Sequence, residues 1–461
     1  MIKRKLSDLI VSPDATIHSV VDAIQKSGVR GVFVCDSDRE LVGIVMDSDI
    51  RRAILKNMDL AVSVKTIMKT SPFIIYEDVP LEGRKALFIE TDKMLVPIVN
   101  KNNHVVDYIW IHDILEKVSY HQVLGVKDED GGVIPPQRIL VIGGVGYIGS
   151  ILTEKLLRIG YKVRVLDILL YGKDSLRFLE REGFDFVRGD CRDFETIKQA
   201  LTDVDAVIHL GEIVGDLACS VNESFTIDTN YSATHMIVEQ CIKLQIKRFI
   251  FASSCSVYGQ SECEVTEDSP LNPCSLYARC KIESEKAILA SHYNNFCPTI
   301  LRLATVHGRS HRQRFDLVVN KLTLDALTNG KIRILGGEQW RPFISVYDIC
   351  QCIILVLHAD KSKIINQIFN VGDTRENYQL LDVGNVIQEL IPTIEVVIKD
   401  QKKDLRSYMV NFDKIKEQLA FSSEYKVVDS VKDFINAYQT LNMYKDFKDS
   451  KYYNVRTLRE V

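Results

Sequence analysis

The hydrophobic pattern of this chain falls into two regimes. From residue 138 onward, short apolar-rich runs (139–142, 162–166, 184–188, 206–210 and 248–252) alternate with stretches whose apolar residues recur every three or four positions. Ile151, Leu152, Leu156 and Leu157 carry that helical spacing after the first run. Residues 226–244 read as another helix, and PCSLYARCKIESEKAIL as a third. Strand and helix in alternation predict an α/β fold with a doubly wound parallel sheet, whose ligands lie beyond the strand C-termini. Residues 1–124 pattern differently, as an internal repeat. One copy starts at Ser12 and the next at Ser71–Pro72. In each, an apolar strand (32–35, 96–99) meets a polar turn, a second strand and an acidic helix start at Asp47–Asp49 or His112–Asp113. One copy cannot bury its apolar face alone, so the two pack as an α+β pair. Residues 125–137, GVKDEDGGVIPPQ, have no periodicity and read as a linker.

The first run of the second regime carries candidate chemistry. It leads into Gly143, Gly146 and Gly149, placed between a buried strand and a helix. Gly143 permits the tight turn, Gly146 lets a pyrophosphate approach the backbone, and Gly149 lets the helix pack on the sheet. The free N–H groups of the helix start then face the anion. The next strand ends at Asp167, where a carboxylate reaches an adenosine ribose. Ile168 follows it, with no Arg to meet a 2′-phosphate, so NAD is favoured over NADP. Asp190, at another strand end, is placed near an adenine ring.

A second constellation lies further on. Tyr277 and Lys281 are four residues apart and share a helix face. A free tyrosine has a pKa of about 10 and is a poor base near neutral pH; a neighbouring ammonium and an oxidised nicotinamide favour its phenolate. Ser254, ending the strand 248–252 region, is placed to hydrogen-bond the reacting hydroxyl. Glu212 puts a carboxylate near the expected cofactor, as a substrate contact or as a surface residue.

Composition narrows the function classes. The chain has 461 residues, enough for two or three domains, and a net charge of −4, which suggests neither nucleic acid nor an anionic membrane as partner. No run approaches the ~20 apolar residues of a membrane span. The start MIKRKLSDLI lacks an apolar signal core, so a cytoplasmic protein is expected. The 11 cysteines are scattered without CxxC spacing, and neither a metal site nor a disulfide framework is expected.

The repeat in residues 1–124 resembles a tandem pair of CBS domains, a module that often binds adenine nucleotides. The resemblance places Asp49 and Asp113 at a nucleotide ribose, with a dimerising role as the alternative. From Arg138 to the C-terminus, GGVGYIGS, Asp167, Gly189–Asp190, Asn230, SSCSVYG and YARCK resemble, in order, the extended short-chain dehydrogenase/reductase family in its nucleotide-sugar epimerase/dehydratase branch. LRLATVHG, RQRFDLVVN and GGEQWRPFISVYDI resemble that branch's substrate domain. The implied division is a CBS pair (1–124), a linker (125–137) and a catalytic part (138–461), with an NAD-binding core over 138–300 and a smaller substrate part over 301–461. The resemblance implies NAD held by Gly143, Gly146, Tyr147, Ile148, Gly149, Asp167, Asp190, Cys191, Leu210, Gly211, Tyr277 and Lys281. It implies a nucleotide diphosphate-sugar at Ser254, Ser256, Thr305, Arg314 and Arg341, catalysis by Ser254, Tyr277 and Lys281, and a homodimer. Arg341 is the candidate for the diphosphate. His311, Arg312 and Arg314 form a basic stretch whose alternative is a solvated loop, and His209 and His307 read as packing residues. The 4,6-dehydratases of the branch carry an Asp–Glu pair where this chain has Cys255 and Ser256, which disfavours a dehydratase and leaves C4 epimerisation through a 4-keto sugar, or simple oxidation or reduction at C4. A C4 dehydrogenase is the alternative, because LRLATVHG and RFDLVVN resemble a sub-branch containing such enzymes and Thr305 stands where many epimerases have Asn. A nucleotide-binding regulatory protein without turnover is the non-enzyme alternative.

Overall fold

The computed structural model describes residues 5–27, 29, 31–55, 58–79, 95–110, 138–291, 296–399, 406–439 and 443–460. The chain divides into two compact units, residues 1–132 with 238–243 and residues 133–237 with 244–461.

In the N-terminal unit the repeat is explicit. Strands β1 (Ile10–Val11), β2 (Gly31–Cys35) and β3 (Leu41–Met46) form one sheet, and β4 (Ile75–Tyr76), β5 (Leu95–Val99) and β6 (Val105–Trp110) form another. Each sheet pairs its first two strands parallel and its last two antiparallel. The turns repeat atom for atom. Asp36 Oδ1 accepts the N–H groups of Asp38 and Glu40 at 3.0 and 2.9 Å; Asn100 Oδ1 accepts those of Asn102 and His104 at 2.9 and 3.0 Å. Short Asx side chains that bond their own backbone fix such turns. Each turn also holds a left-handed residue, Arg39 (φ 66°) or Asn103 (φ 60°). Phe33 and Ile44 of one copy share a core with Leu95, Ile98 and Ile109 of the other, which is why neither copy stands alone. Helix α1 (Ile17–Ser27) and α2 (Asp47–Leu55) complete the first copy.

The second unit is built on seven parallel strands: β7 (Arg138–Ile142), β8 (Lys162–Asp167), β9 (Phe184–Arg188), β10 (Ala206–His209), β11 (Arg248–Ser254), β12 (Cys297–Leu303) and a last strand, Gln367–Val371. Their spatial order is β9-β8-β7-β10-β11-β12 and then that last strand. The order reverses between β7 and β10, and an open α/β sheet has its binding crevice at that switch point. Buried on both faces, β7 and β10 read as apolar runs up to His209, whereas β12 buries Thr299 and Arg302 among its apolar residues. A smaller part, with strands Thr305–His307, Trp340–Ser345 and Asn377–Gln379 and a core of Val319, Ile334, Phe343, Val383 and Val431, follows in sequence.

One expected helix is different. Residues 226–244 were expected to be continuous; instead a helix over Glu223–Ile227 passes through a π-turn, Asp228–Ser232, before Ala233–Lys243. The cause is long-range. Buried Asn230 accepts the Ile213 N–H at 2.8 Å and donates to the Ile213 carbonyl at 2.7 Å, which draws that turn toward the loop after β10.

Candidate active site

At the switch point the loops after β7 and β10 touch. A Cβ on Gly143, itself at φ +80°, would lie 2.8 Å from the Gly211 Cα. A Cβ on Gly149 would lie 2.1 Å from the Gly143 carbonyl oxygen. Only glycine at both positions lets the strand turn directly into helix α3 (Tyr147–Arg158) with Gly146 as its N-cap. The resulting cleft is lined by Gly143, Gly146, Asp167, Asp190, Cys191, Leu210 and Gly211. Asp167 closes one wall: its carboxylate accepts N–H groups from Val145 at 3.0 Å and Leu169 at 2.8 Å. Burial raises the Asp167 pKa, and these two backbone donors oppose the rise. The glycine cradle, with free N–H groups at the start of α3, fits a dinucleotide pyrophosphate.

The second constellation converges on the same crevice. Helix α4 (Leu276–Leu289) starts at its N-cap Ser275, whose hydroxyl accepts the Ala278 N–H at 3.2 Å and donates to Asp216 at 2.6 Å. That start sets Tyr277 and Lys281 on one face, with Lys281 Nζ 5.7 Å from the Tyr277 ring centre. Ser254, at the C-terminus of β11, is a hydrogen-bond partner of the Tyr277 hydroxyl. The same Ser254 Oγ accepts the Ser256 N–H at 3.1 Å, capping the 3-10 turn Cys255–Tyr258. Lys281 is buried and donates to the Ala252 carbonyl and to the Glu212 carboxylate. Burial first, and then the Glu212 charge, hold the Tyr277 phenol well above its ordinary range; the Ser254 hydrogen bond works in the other direction.

Around this core the fold is pinned at both flanks. Beneath Ser254, the Ser253 hydroxyl donates to Glu285, which forms a buried ion pair with Arg302 at 2.7 Å. On the far side the C-terminal tail reaches back. Asn454 donates to the Val214 carbonyl at 3.2 Å, accepts from Arg312 at 2.7 Å, and its N–H meets Asp316 at 3.0 Å.

A family profile described as the NAD dependent epimerase/dehydratase family matches residues 139–372. The chain belongs to that family. A CBS domain profile matches residues 5–56. A putative UDP-glucose 4-epimerase of Methanocaldococcus jannaschii is 28% identical over 305 residues, which are 65% of this chain and 97% of that protein. A UDP-glucuronic acid 4-epimerase from Bacillus cereus, solved with UDP-glucuronic acid and NAD, is 27% identical with a TM-score of 0.58, covering 64% of this chain and 96% of that one. A dTDP-glucose 4,6-dehydratase from Streptomyces venezuelae, solved with NAD and TYD, is 25% identical with a TM-score of 0.60, covering 66% and 97%. The family is one of NAD-dependent enzymes on a parallel-sheet α/β fold.

Within this family member several expected contacts take other forms. Glu212 is not a surface residue: its side chain is 2% exposed and ion-paired to Lys281. Arg312 and Arg314 do not belong to a solvated loop, being 7% and 9% exposed. Arg314 is held by the Asp316 carboxylate at 2.9 Å, and Arg312 stacks 3.9 Å over the Tyr171 ring. His311 is stacked on Phe178 at 4.0 Å and bonded to Glu154 at 2.6 Å. Arg341 donates to the carbonyls of Trp340 and Arg406. The Tyr147 side chain is 7% exposed and its hydroxyl donates to the Gly308 carbonyl at 2.6 Å. Its backbone, with those of Ile148 and Gly149, forms the first turn of α3. Thr305 opens the strand Thr305–His307 and is partly buried, and the Ser256 hydroxyl is buried without a partner. His209 and His307 bond Thr234 and Ser430, and burial pushes both down to about 3, so they are neutral packing groups. In the N-terminal unit the Asp49 carboxylate accepts the Met46 N–H at 3.0 Å and lies 3.5 Å from Lys69. Asp113 lies outside the described residues. Sequence reading missed the tail contact of Asn454, whose partners are remote in the chain, and the cleft contacts of Phe225 and Thr229 on the π-turned helix.

Proposed function

We propose that this protein is an NAD-dependent nucleotide-sugar 4-epimerase. It oxidises C4 of a nucleotide diphosphate-sugar to a ketone and returns the hydride to the other face of that carbon. The observation that carries this reading is the Tyr277–Ser254 hydroxyl pair beside the glycine-lined cleft, with no carboxyl group at positions 255 and 256. NAD held in the cleft by the glycines, Asp167 and Lys281 supplies the hydride acceptor and donor. Ser254 orients the C4 hydroxyl, and Tyr277 Oη takes its proton and later gives it back. Elimination of water at C5–C6 needs a further acid and base. Burial pushes the Cys255 thiol far up, its hydrogen goes to the Arg302 carbonyl at 3.2 Å, and Ser256 is a plain hydroxyl. The UDP-sugar 4-epimerases among the relatives support the same choice. Arg314 and Arg341 are the cations of the substrate part, with Thr305 and Ser256 beside them in the reading. The domain division 1–124, 125–137 and 138–461, a homodimer, and an adenine nucleotide acting through the CBS unit complete it.

The test is incubation with UDP-, GDP-, CDP- and dTDP-sugars, with and without added NAD, read by mass spectrometry and NMR. The expected product has unchanged mass and inverted C4, without net NADH. A loss of two mass units with NADH accumulating makes the protein a C4 dehydrogenase instead, and a loss of eighteen a dehydratase.

A further inference from the structure

Glu212, the partner of Lys281, has no part in the reaction as described. Its geometry is nevertheless specific. The loop after β10 is fixed at Leu210, whose N–H bonds the Ile142 carbonyl at 2.9 Å, and at Ile213 through Asn230. Between them Glu212 turns its side chain inward. One carboxylate oxygen takes the Lys281 ammonium, and the other is buried with no hydrogen-bond partner. Both side chains are 2% exposed, so water screens neither charge. Lys281 also lies 4.6 Å from the Phe251 ring centre, against the Ala252 carbonyl. Of the other carboxylates at the crevice, Asp190 is paired with Arg192 at 2.5 Å and Asp216 with Arg406, while Asp167 is held by the backbone N–H groups of Val145 and Leu169.

We propose that Glu212 is a specificity-determining residue for the oxidation state of the cofactor: its carboxylate offsets the Lys281 ammonium and so favours the positively charged oxidised nicotinamide over the neutral reduced one. The inference rests on the NAD-dependent reading above. Tyr277 and the hydride acceptor must act on the same carbon, which places the nicotinamide at the Tyr277–Lys281 end of the cleft. A lone buried ammonium there repels the oxidised ring and leaves the reduced ring unaffected. A unit charge within about 10 Å, at an effective dielectric constant of about 20, changes such an equilibrium by about tenfold. The consequence is catalytic economy of a particular kind. A site that prefers the oxidised cofactor drives the hydride back to the sugar, as an enzyme without net redox turnover requires.

The test is equilibrium titration of NAD+ and of NADH into the full chain, freed of bound nucleotide, for wild type, Glu212→Gln and Glu212→Asp at pH 7. Glu212→Gln is expected to raise the ratio of the NAD+ to the NADH dissociation constant about tenfold, with the NADH value nearly unchanged. Glu212→Asp, which keeps the charge, is expected to keep the wild-type ratio. If Glu212→Gln does not fold, the double variant Glu212→Gln/Lys281→Met, which removes both charges, is expected to hold the wild-type ratio while Lys281→Met alone lowers it. Equal weakening of both nucleotides, or unchanged ratios throughout, overturns the inference and leaves the proposed function standing. Failure of the wild type to bind either nucleotide overturns the proposed function and the inference with it.

Discussion

At Tyr277 a phenol that is ordinarily too weak a base lies between a hydroxyl, Ser254, and an ammonium, Lys281, already claimed by a carboxylate. Removing only the Tyr277 oxygen isolates its role. Tyr277→Phe is expected to fold and to bind NAD like wild type while losing about 10²–10⁴-fold in turnover; steady-state assay beside an NAD titration checks both halves. Retention of full turnover would remove Tyr277 from the mechanism. The Tyr277–Lys281 pair was legible because a four-residue spacing on a helix fixes a shared face. Glu212 was legible only as a carboxylate near the cofactor; its ion pair was not, because its partner lies 69 residues further on and a carboxylate after a strand carries no sign of burial. The same holds for Arg312, which looks like part of a basic surface loop until the tail folds over it and Tyr171 stacks beneath it.

At the scale of the element, the strand–turn–helix from β7 into α3 leaves no freedom at Gly149. An added Cβ would lie 2.1 Å from the Gly143 oxygen and 2.7 Å from the Gly144 Cα, backbone atoms that cannot yield without moving the cleft. Gly149→Ala is expected to cost about 1–3 kcal/mol of stability through overpacking and to weaken NAD binding. Gly160→Ala is the control: its Cβ meets nothing within 4 Å, and only its φ of +97° is strained. Thermal melts with NAD titration of the two variants separate loss of the cleft from loss of stability. This element was readable in advance because its constraints are local. The π-turn at Asp228–Ser232 was not, since nothing in DTNYS breaks a helix, and the distortion comes from Asn230 reaching 17 residues back to Ile213.

At the scale of the whole molecule, two kinds of unit lie on one chain: an N-terminal unit with a repeated strand pattern, whose first copy matches a CBS domain, and an NAD-dependent catalytic unit. Both were visible as changes of hydrophobic period and as a repeat, because duplicated turns such as Asp36 and Asn100 preserve side chains with equivalent hydrogen bonds. The role of the first unit is a separate matter from its fold. A chain lacking residues 1–130 is expected to keep epimerase activity but to lose any response to AMP or ATP seen in the full chain; parallel kinetics with and without nucleotide check it. In the proposed reaction the hydride leaves C4 and comes back to C4 within one site. The direct measurement uses a nucleotide-sugar substrate from the panel, carrying deuterium at C4, followed by NMR and mass spectrometry through one equilibration. The predicted result is inverted product that keeps its deuterium at C4. Inverted or oxidised product from which the deuterium has passed to free NADH or to water would contradict the account.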